Sequence, residues 1–342
     1  MYKLAVVILN WNGVKYLKEF IPFLVKYSSI NDVGLFVADN GSTDESVNEL
    51  KVNHPEINLI LLEQNFGFAE GYNKALEKID SEYFVLLNSD VEVTENWIEP
   101  LLKLMDSDKN IAACMPKIMD YYKRDYFEYA GAAGGFIDKY GYPFCRGRIF
   151  NEIEKDNGQY NNLESIFWAS GACLFIRKEI YFKAGGLDNN FFAHMEEIDL
   201  CWRIKNMGYK IMFCPESRIY HVGGGTLAMN HPRKTYLNFR NNLYLLYKNL
   251  ENKNFFSLMF FRFTLDGIAG LKFLFGFEFS NFLAVIKAHF SFYANVSKFK
   301  IKRKKNINEL FINYTYPERK NYSIVYQFFV KNHKNYSELS EK

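Results

Sequence analysis

The sequence predicts an α/β protein in which a mainly parallel sheet is flanked by helices, with a helical extension at the C-terminal end. Over residues 1 to about 110, short apolar runs of strand length alternate with segments that suit helices. Polar or glycine-containing stretches directly follow the apolar runs. Because ligands bind outside the carboxyl ends of the strands in open α/β sheets, these two observations together predict a ligand-binding protein.

Each element of this alternation is predicted from its local sequence. Four apolar runs are typical of buried strands: Leu4–Leu9, Leu35–Ala38, Leu59–Leu62 and Phe84–Leu87. Helices are expected between them, at about residues 14–27, 44–51 and 69–79, and Asn12 and Thr43 are the expected N-caps of the first two. After residue 110 the regular alternation ends, and residues 111–165 are rich in glycine and tyrosine.

Four polar loops should meet at the carboxyl edge of the sheet: Asn10–Gly13, Asp39–Asp44, Asn65–Asn73 and Asn88–Asp90. Asp90 follows a buried strand, where a carboxylate is costly unless something uses it, so it either serves a ligand or caps the next helix. Gly67 and Gly71 either let a ligand approach the backbone at a helix N-terminus, where amides favour anions, or form only a tight turn.

Composition argues against several classes of protein. The net charge is only +3 over 342 residues, so nothing indicates a nucleic-acid partner. The five cysteines form no Cys-x-x-Cys pair, which favours buried thiols in a reducing compartment over disulfides or a zinc site. The N-terminal apolar run Leu4–Leu9 is too short for a signal peptide, and we therefore expect a cytoplasmic protein.

Several segments, in their order and spacing, resemble family 2 glycosyltransferases and, within them, bacterial rhamnosyltransferase-like enzymes. These segments are AVVILNWNG, VADNGSTD, NFGFAEGYN, LLNSDVEV, WASGACLFIRKE, FFAHMEEIDLCWR and HVGGGTL. The resemblance covers roughly residues 3–250 and implies a GT-A fold, a nucleotide-sugar donor, a divalent metal and inversion at the anomeric carbon. It divides the chain into a GT-A domain at 1–250, with a nucleotide-binding half at 1–110 and an acceptor half at 111–250, and a helical region at 251–342.

The resemblance implies roles for the donor-binding residues. The family's Asp-x-Asp motif stands here as Asn88-Ser89-Asp90, so Asp90 would be the carboxylate ligand of Mg²⁺ or Mn²⁺, a hard cation that stabilises the leaving diphosphate. Asp39 and Asn40 lie where the family contacts the base and ribose of a dTDP-, UDP- or GDP-sugar. Further contacts to the donor would come from Asn10, Asn65, Gly67, Gly71 and Asn73.

A second group of acids begins the predicted helix within Phe191–Arg203. In the family, the second residue of a Glu-Asp pair is the general base that deprotonates the acceptor hydroxyl, and Glu197 occupies that position. The helix N-terminus is expected to keep Glu197 ionised. Asp199 and Arg203 are spaced to form an ion pair. The alternative is that these acids are only favourable partners of the helix dipole.

Three other stretches carry weaker predictions. Ile166–Ile176 is typical of a strand interrupted by small residues, of which Gly171 and Ala172 either leave room for the donor sugar or only pack in the core. His221 either reaches the metal or a phosphate or is structural, and the glycines that follow it indicate a loop that closes over the donor. Arg240 either contacts the diphosphate or lies on the surface of a helix.

The C-terminal region predicts contact with a membrane. Phe255–Tyr293 is dense in Phe, Leu and Ile, but charged residues interrupt it, and no run approaches the roughly 20 apolar residues of a spanning helix. Amphipathic helices at the membrane interface fit better, and the basic cluster Lys298–Lys305 suits anionic headgroups. The chain would then be attached peripherally to the inner face of the cell membrane. The alternative is a helical pair that packs on the catalytic domain or forms a homodimer.

The function predicted from these features is inverting transfer of a sugar from a nucleotide-sugar to a hydroxyl of a lipid-linked cell-surface glycan. One alternative is a sugar nucleotidyltransferase, although the first loop lacks the glycine-rich, basic sequence expected for a triphosphate. Another is a non-catalytic scaffold that binds sugar nucleotides at the membrane, although the presence of both Asp90 and Glu197 argues against it.

Overall fold

The N-terminal part of the chain alternates strands and helices as predicted. The computed structural model describes residues 1–223, 231–253, 255–308 and 316–339. Its first elements are β1 (Tyr2–Asn10), α1 (Val14–Ser28), β2 (Val33–Asp39), α2 (Ser46–Asn53), β3 (Asn58–Leu61), α3 (Gly67–Leu76), β4 (Ser81–Leu87), β5 (Val91–Val93) and α4 (Glu99–Ser107). Strands β1 to β4 run parallel, with β1 between β2 and β4. The predicted four strands and three helices are confirmed.

The two predicted N-caps are wrong, because these side chains bind the neighbouring loop instead of their own helix. Helix α1 has no side-chain cap, and the Oδ1 atom of Asn12 accepts from the backbone N–H of Thr43 at 2.7 Å. In return, the backbone N–H of Val14 donates to Asp44 at 3.1 Å. Helix α2 begins two residues beyond the expected start and also has no side-chain cap. The loops after β1 and β2 therefore hold each other at the sheet edge.

The second half of the main sheet is mixed rather than parallel. It adds β6 (Ile111–Asp120), β11 (Glu164–Ser165), β12 (Cys173–Arg177) and β13 (Lys210–His221), interspersed with α5 (Lys178–Lys183) and α6 (Glu196–Asn206). Strand β12 lies antiparallel between β4 and β6, and β13 runs parallel to β6. The strand predicted over residues 166–176 is formed only from Cys173 onward, after the small residues. The described cysteines, which are all five, are free and buried, as expected.

A second, smaller sheet occupies the region that resisted sequence-based prediction. It contains β7 (Gly135–Asp138), β8 (Pro143–Cys145), β9 (Arg148–Ile149), β10 (Glu152–Ile153) and β14 (Arg319–Lys320). Strand β14 comes from near the C-terminal end and pairs with β7, and α11 (Ile324–Phe329) follows it. The buried carboxyl of Asp138 accepts from the backbone N–H groups of Tyr142 and Ile324. Residues of the 316–339 segment therefore contact the 111–250 half through β7 and Asp138.

Between β13 and β14 the described part of the chain forms four α-helices: α7 (Pro232–Asn249), α8 (Phe255–Phe275), α9 (Phe279–Asn295) and α10 (Lys300–Asn308). The α8–α9 hairpin packs on α7 through α9. Lys302 of α10 binds Asp188 at 2.7 Å, so part of the predicted basic cluster is fixed to the 111–250 half. Within the described part of the chain, no helix combines the length and apolar character that crossing a bilayer requires.

Candidate active site

A cleft of about 2570 Å³ lies beyond the carboxyl ends of β1 and β4. Its walls come from the loops after these strands, from the start of α6, from the end of β13, and from α7, the α8–α9 hairpin and residues 321–334. The polar loops predicted to converge do so here. The predicted site residues that line the cleft are Asn40, Asn65, Gly67, Asp90, Gly171, Ala172, Glu197 and His221.

Three residues that were predicted to contact the nucleotide-sugar lie behind the cleft surface and support it. The buried Asn10 donates to Asp39 at 3.1 Å, and Asp39 in turn accepts from the backbone N–H of Ser42 at 2.9 Å. Both side chains therefore hold the loops together. A Cβ atom on Gly71 would lie 2.9 Å from the side chain of Leu9, so this glycine is needed for the close approach of α3 to β1. Asn10, Asp39 and Gly71 do not line the cleft.

Two further predicted donor residues are held by contacts elsewhere. Asn73 donates to the carbonyl of Leu187 at 2.8 Å and accepts from the hydroxyl of Tyr181 at 2.6 Å, so both ends of its amide are occupied. Arg240 donates to the carbonyl of Phe191 at 2.9 Å and lies outside the cleft, beside a small separate cavity. The prediction that Arg240 contacts a diphosphate is therefore not supported by its position, since its guanidinium supports the loop before α6.

Asp90 and His221 face each other across the cleft floor, and Glu128 lies behind the histidine. The Nε2 atom of His221 is 3.2 Å from Oδ1 of Asp90, and its Nδ1 atom is 3.3 Å from Oε1 of Glu128. Burial favours neutral imidazole, but the carboxylates of Glu128 and Asp90 outweigh it and raise the pKa of His221 to about 10. Burial likewise opposes the charge of Asp90, yet the contact with His221 keeps the pKa of Asp90 below its usual value.

The side chains at this point could bind a divalent cation only if the substrate supplied further ligands. Within the ranges described above, no three His, Cys, Asp or Glu side chains are arranged to hold a metal. One carboxylate and one imidazole nonetheless converge, and Glu128 lies at the second imidazole nitrogen, where carboxylates commonly orient metal-binding histidines. Because its raised pKa keeps His221 protonated, a cation bound here would have to displace the proton on Nε2. Oxygen atoms of a donor diphosphate and water would supply the remaining ligands. Glu128 could not be predicted as a site residue from the sequence, because it lies in the glycine-rich stretch that predicts no strand or helix.

Glu196 and Glu197 begin α6 and both line the cleft. Each has a buried Oε2 atom without a hydrogen-bond partner. Burial raises the pKa of Glu197 to about 7, and the backbone amides of the first helical turn lower it only in part. Burial and the adjacent Glu197 raise the pKa of Glu196 well above its usual value. The expected effect of the helix N-terminus is therefore present, but desolvation exceeds it.

The loop before α6 has an unusual backbone conformation that its sequence does not indicate. Phe192, His194 and Met195 have φ angles of 68°, 69° and 74°. Residues other than glycine rarely adopt positive φ angles. The side-chain amide of Asn241 donates to three carbonyl groups of this loop, those of Phe191, Ala193 and His194. These bonds from α7 fix the backbone immediately before Glu196 and Glu197.

Small residues give the cleft its shape next to Glu197. A Cβ atom on Gly171 would lie 3.7 Å from the ring of Phe68 and 3.8 Å from the side chain of Glu197, so the glycine leaves open space between them. Gly67 has a φ of 78° and a Cβ atom there would lie 3.3 Å from the ring of Phe192. Asn40 donates to Asn65 at 3.1 Å and accepts from the N–H of Phe66, which fixes the glycine loop. The loop expected to close over the donor falls largely on residues 224–230, outside the described residues.

Comparison with known proteins identifies the class of this site. The model of the family "Glycosyl transferase family 2" matches residues 5–182. The chain is 23% identical over 236 residues to the N-acetylglucosaminyl-diphospho-decaprenol L-rhamnosyltransferase of Mycobacterium tuberculosis, covering 64% of this chain and 75% of the relative. It is 24% identical to the low-salt glycan biosynthesis hexosyltransferase Agl10 of Haloferax volcanii, covering 70% and 73%, and 24% identical to the dTDP-rhamnosyl transferase RfbF of Shigella flexneri, covering 62% and 70%.

Two solved structures share the fold. The mannosyltransferase PcManGT from Pyrobaculum calidifontis, in complex with GDP-Man and Mn²⁺, aligns with a TM-score of 0.54 at 12% identity, over 90% of this chain and 84% of its own. GalNAc-T7 with UDP, GalNAc and Mn²⁺ aligns with a TM-score of 0.53 at 19% identity, over 64% of this chain and 43% of its own. The architecture is therefore that of GT-A transferases. With a family model that spans residues 5–182, the chain belongs to glycosyl transferase family 2 and is a glycosyltransferase.

Proposed function

We propose that this chain is an inverting glycosyltransferase in which Glu197 is the general base. The observation that carries the proposal is the Glu197 carboxyl itself, which lines the cleft with an unpartnered oxygen and a pKa raised to about 7. A general base is most effective when its pKa lies near the working pH. Glu196 is the poorer candidate, because burial and the adjacent Glu197 raise its pKa well above the usual value, which opposes the ionised form that a base requires.

In the proposed reaction, Glu197 removes the proton from an acceptor hydroxyl as that oxygen attacks the anomeric carbon of the donor. The bond between this carbon and the diphosphate oxygen breaks at the same time, and its electron pair leaves with the nucleoside diphosphate. A single displacement inverts the configuration. Asp90 and His221 would hold a divalent cation, Mg²⁺ or Mn²⁺. The bound cation would neutralise the negative charge on the diphosphate.

The comparisons support a particular class of donor and acceptor. Structural neighbours contain UDP or GDP-Man, and sequence relatives include enzymes named for rhamnosyl transfer. We therefore propose that the donor is a hexose or deoxyhexose linked to dTDP, UDP or GDP. The first relative is named for a decaprenol-linked acceptor, and this supports a lipid-linked glycan as acceptor here. The protein would act in the synthesis of a cell-envelope polysaccharide, peripherally attached at the cytoplasmic face of the membrane.

The test is to screen dTDP-, UDP- and GDP-sugars for thermal stabilisation and turnover, with and without Mn²⁺, and then to determine the anomeric configuration of the product by NMR. Release of nucleoside diphosphate with inversion is the expected result. A product with retained configuration would contradict the displacement mechanism, and release of inorganic pyrophosphate from a nucleoside triphosphate would identify a nucleotidyltransferase instead.

A further inference from the structure

The outer face of the α8–α9 hairpin is apolar and exposed. In α8 the exposed side chains recur at helical spacing, and so do those of α9. They are Phe256 (85% exposed), Phe260, Ile268, Leu271 and Phe275 in α8, and Phe279, Leu283, Phe290 and Tyr293 in α9. The hairpin tip carries the most concentrated part, because Phe275, Phe277 and Phe279 are 76%, 81% and 55% exposed within five residues. A contiguous exposed apolar surface of this kind marks an interaction site.

The charges in the segment that contains this face are almost all positive. Residues 252–308 contain ten Lys and Arg residues but only two acids, whereas the whole chain has a net charge of only +3. Of the two acids, Asp266 is buried and paired with Arg262, while Glu278 accepts from Asn281. Lys287, Lys298, Lys300 and Lys304 are exposed. An exposed apolar face in a segment with this excess of exposed lysines complements an anionic lipid surface.

The same hairpin forms the outer wall of the catalytic cleft. Lys272, Phe273, Gly276 and Glu278, which surround the tip, line the cavity that also contains Asp90 and Glu197. The exposed Phe275, Phe277 and Phe279 are interleaved with these residues but do not line the cavity. One side of the tip therefore faces the cleft, and the other side is exposed.

We propose that the Phe275–Phe279 tip inserts into the interfacial region of an anionic bilayer and that the cleft opens beside it. This inference deepens the proposed function, on which it rests: the acceptor would reach Glu197 from the plane of the membrane, with its lipid chain in the bilayer along the hairpin. A second copy of this chain is the less favoured occupant of the face, because it would bring two segments with the same excess of positive charge together.

The test uses sedimentation of the full-length chain with vesicles of phosphatidylcholine, alone or with phosphatidylglycerol. The tip variant is Phe275→Ser with Phe277→Ser. The matched control is Val52→Ser with Leu163→Ser, which removes two exposed apolar side chains that lie outside the hairpin. We expect the wild type and the control to bind vesicles that contain phosphatidylglycerol, and the tip variant to bind about 100-fold more weakly, with about tenfold lost for each phenylalanine. Binding should weaken as the salt concentration rises.

Thermal stabilisation by UDP, GDP and dTDP with Mn²⁺ is measured on the same preparations and separates this inference from the proposed function. If nucleotide binding is intact but the wild type does not bind anionic vesicles, or the tip variant binds them as well as the wild type, the inference is overturned and the proposed function stands. If vesicles bind but no nucleotide does, the proposed function fails. A wild-type dimer that the tip variant abolishes, without vesicle binding, would assign the face to contact between copies and overturn the membrane assignment.

Discussion

The imidazole of His221 lies 3.2 Å from the carboxylate of Asp90, although the two residues are separated by 131 positions in the sequence. If they hold a divalent cation, Asp90→Ala should abolish Mn²⁺-dependent donor binding and reduce transfer by more than about 10²-fold. The fold should persist, because Glu128 still contacts His221. Isothermal titration with the nucleotide and Mn²⁺, together with circular dichroism, checks this. Full activity of the variant in excess EDTA would remove Asp90 from the metal site.

The rate of transfer should depend on the protonation of Glu197. Because its pKa is raised to about 7 and a general base must be deprotonated, kcat should fall as the pH decreases below 7 and level off above it. Glu197→Gln should retain donor binding, lose about 10²–10⁴-fold in kcat and lose this pH dependence. Steady-state kinetics between pH 5 and 9 measures both effects.

Glu196→Gln is the matched control for that experiment. Burial and the adjacent Glu197 raise the pKa of Glu196 and so favour its neutral form, and glutamine resembles a neutral carboxylic acid in size and polarity, so this variant should remain close to wild type. An inactive Glu196→Gln beside an active Glu197→Gln would show that the base is the neighbouring residue.

Asn241 should act as a positioning residue for Glu197, because its amide binds three carbonyl groups of the strained loop before α6. Asn241→Ala should lower kcat by up to about 10²-fold, as small displacements of a reacting group can, with little change in the donor KM. Asn306→Ala is the control, since it removes another buried asparagine that binds Asn249 and lies outside the cleft. Equal losses of stability with no difference in kcat would show that Asn241 is merely structural.

The buried ion pairs that Lys248 of α7 forms should contribute to stability. Lys248 is buried and lies 2.5 Å from Asp188 and 2.8 Å from Asp199, while Lys302 also binds Asp188. Asp188→Ala leaves these lysines with fewer carboxylates, and the free energy of unfolding should fall by about 3–5 kcal/mol. Asp125→Ala, which removes an exposed pair with Lys155, should lower the free energy of unfolding far less, because solvent screens such pairs. Urea denaturation compares the two, and similar losses would contradict the buried network.

Several predictions from the sequence hold because they depend on local patterns. The apolar runs that became β1 to β4 are long enough and β-branched enough to be recognised in isolation, and the turn residues after them define the cleft edge. The pairing of Asp199 with Arg203, at 2.9 Å, follows from their spacing in a helix. The regions with short strands, such as β7 to β10, carry no comparable period, and their pairing depends on distant partners.

By itself, the sequence determined the α/β alternation, the polar loops at the sheet edge and the presence of carboxylates in two of its segments. Only the tertiary structure decided which of these side chains reach the cleft. Asn73 and Arg240 are polar residues in suggestive segments, but backbone carbonyls brought from elsewhere in the chain take up their hydrogen bonds. The pairing of β14 with β7 and the raised pKa of Glu197 are likewise set by the tertiary structure. Burial and long-range contacts depend on the whole fold, because they are set by residues far apart in sequence.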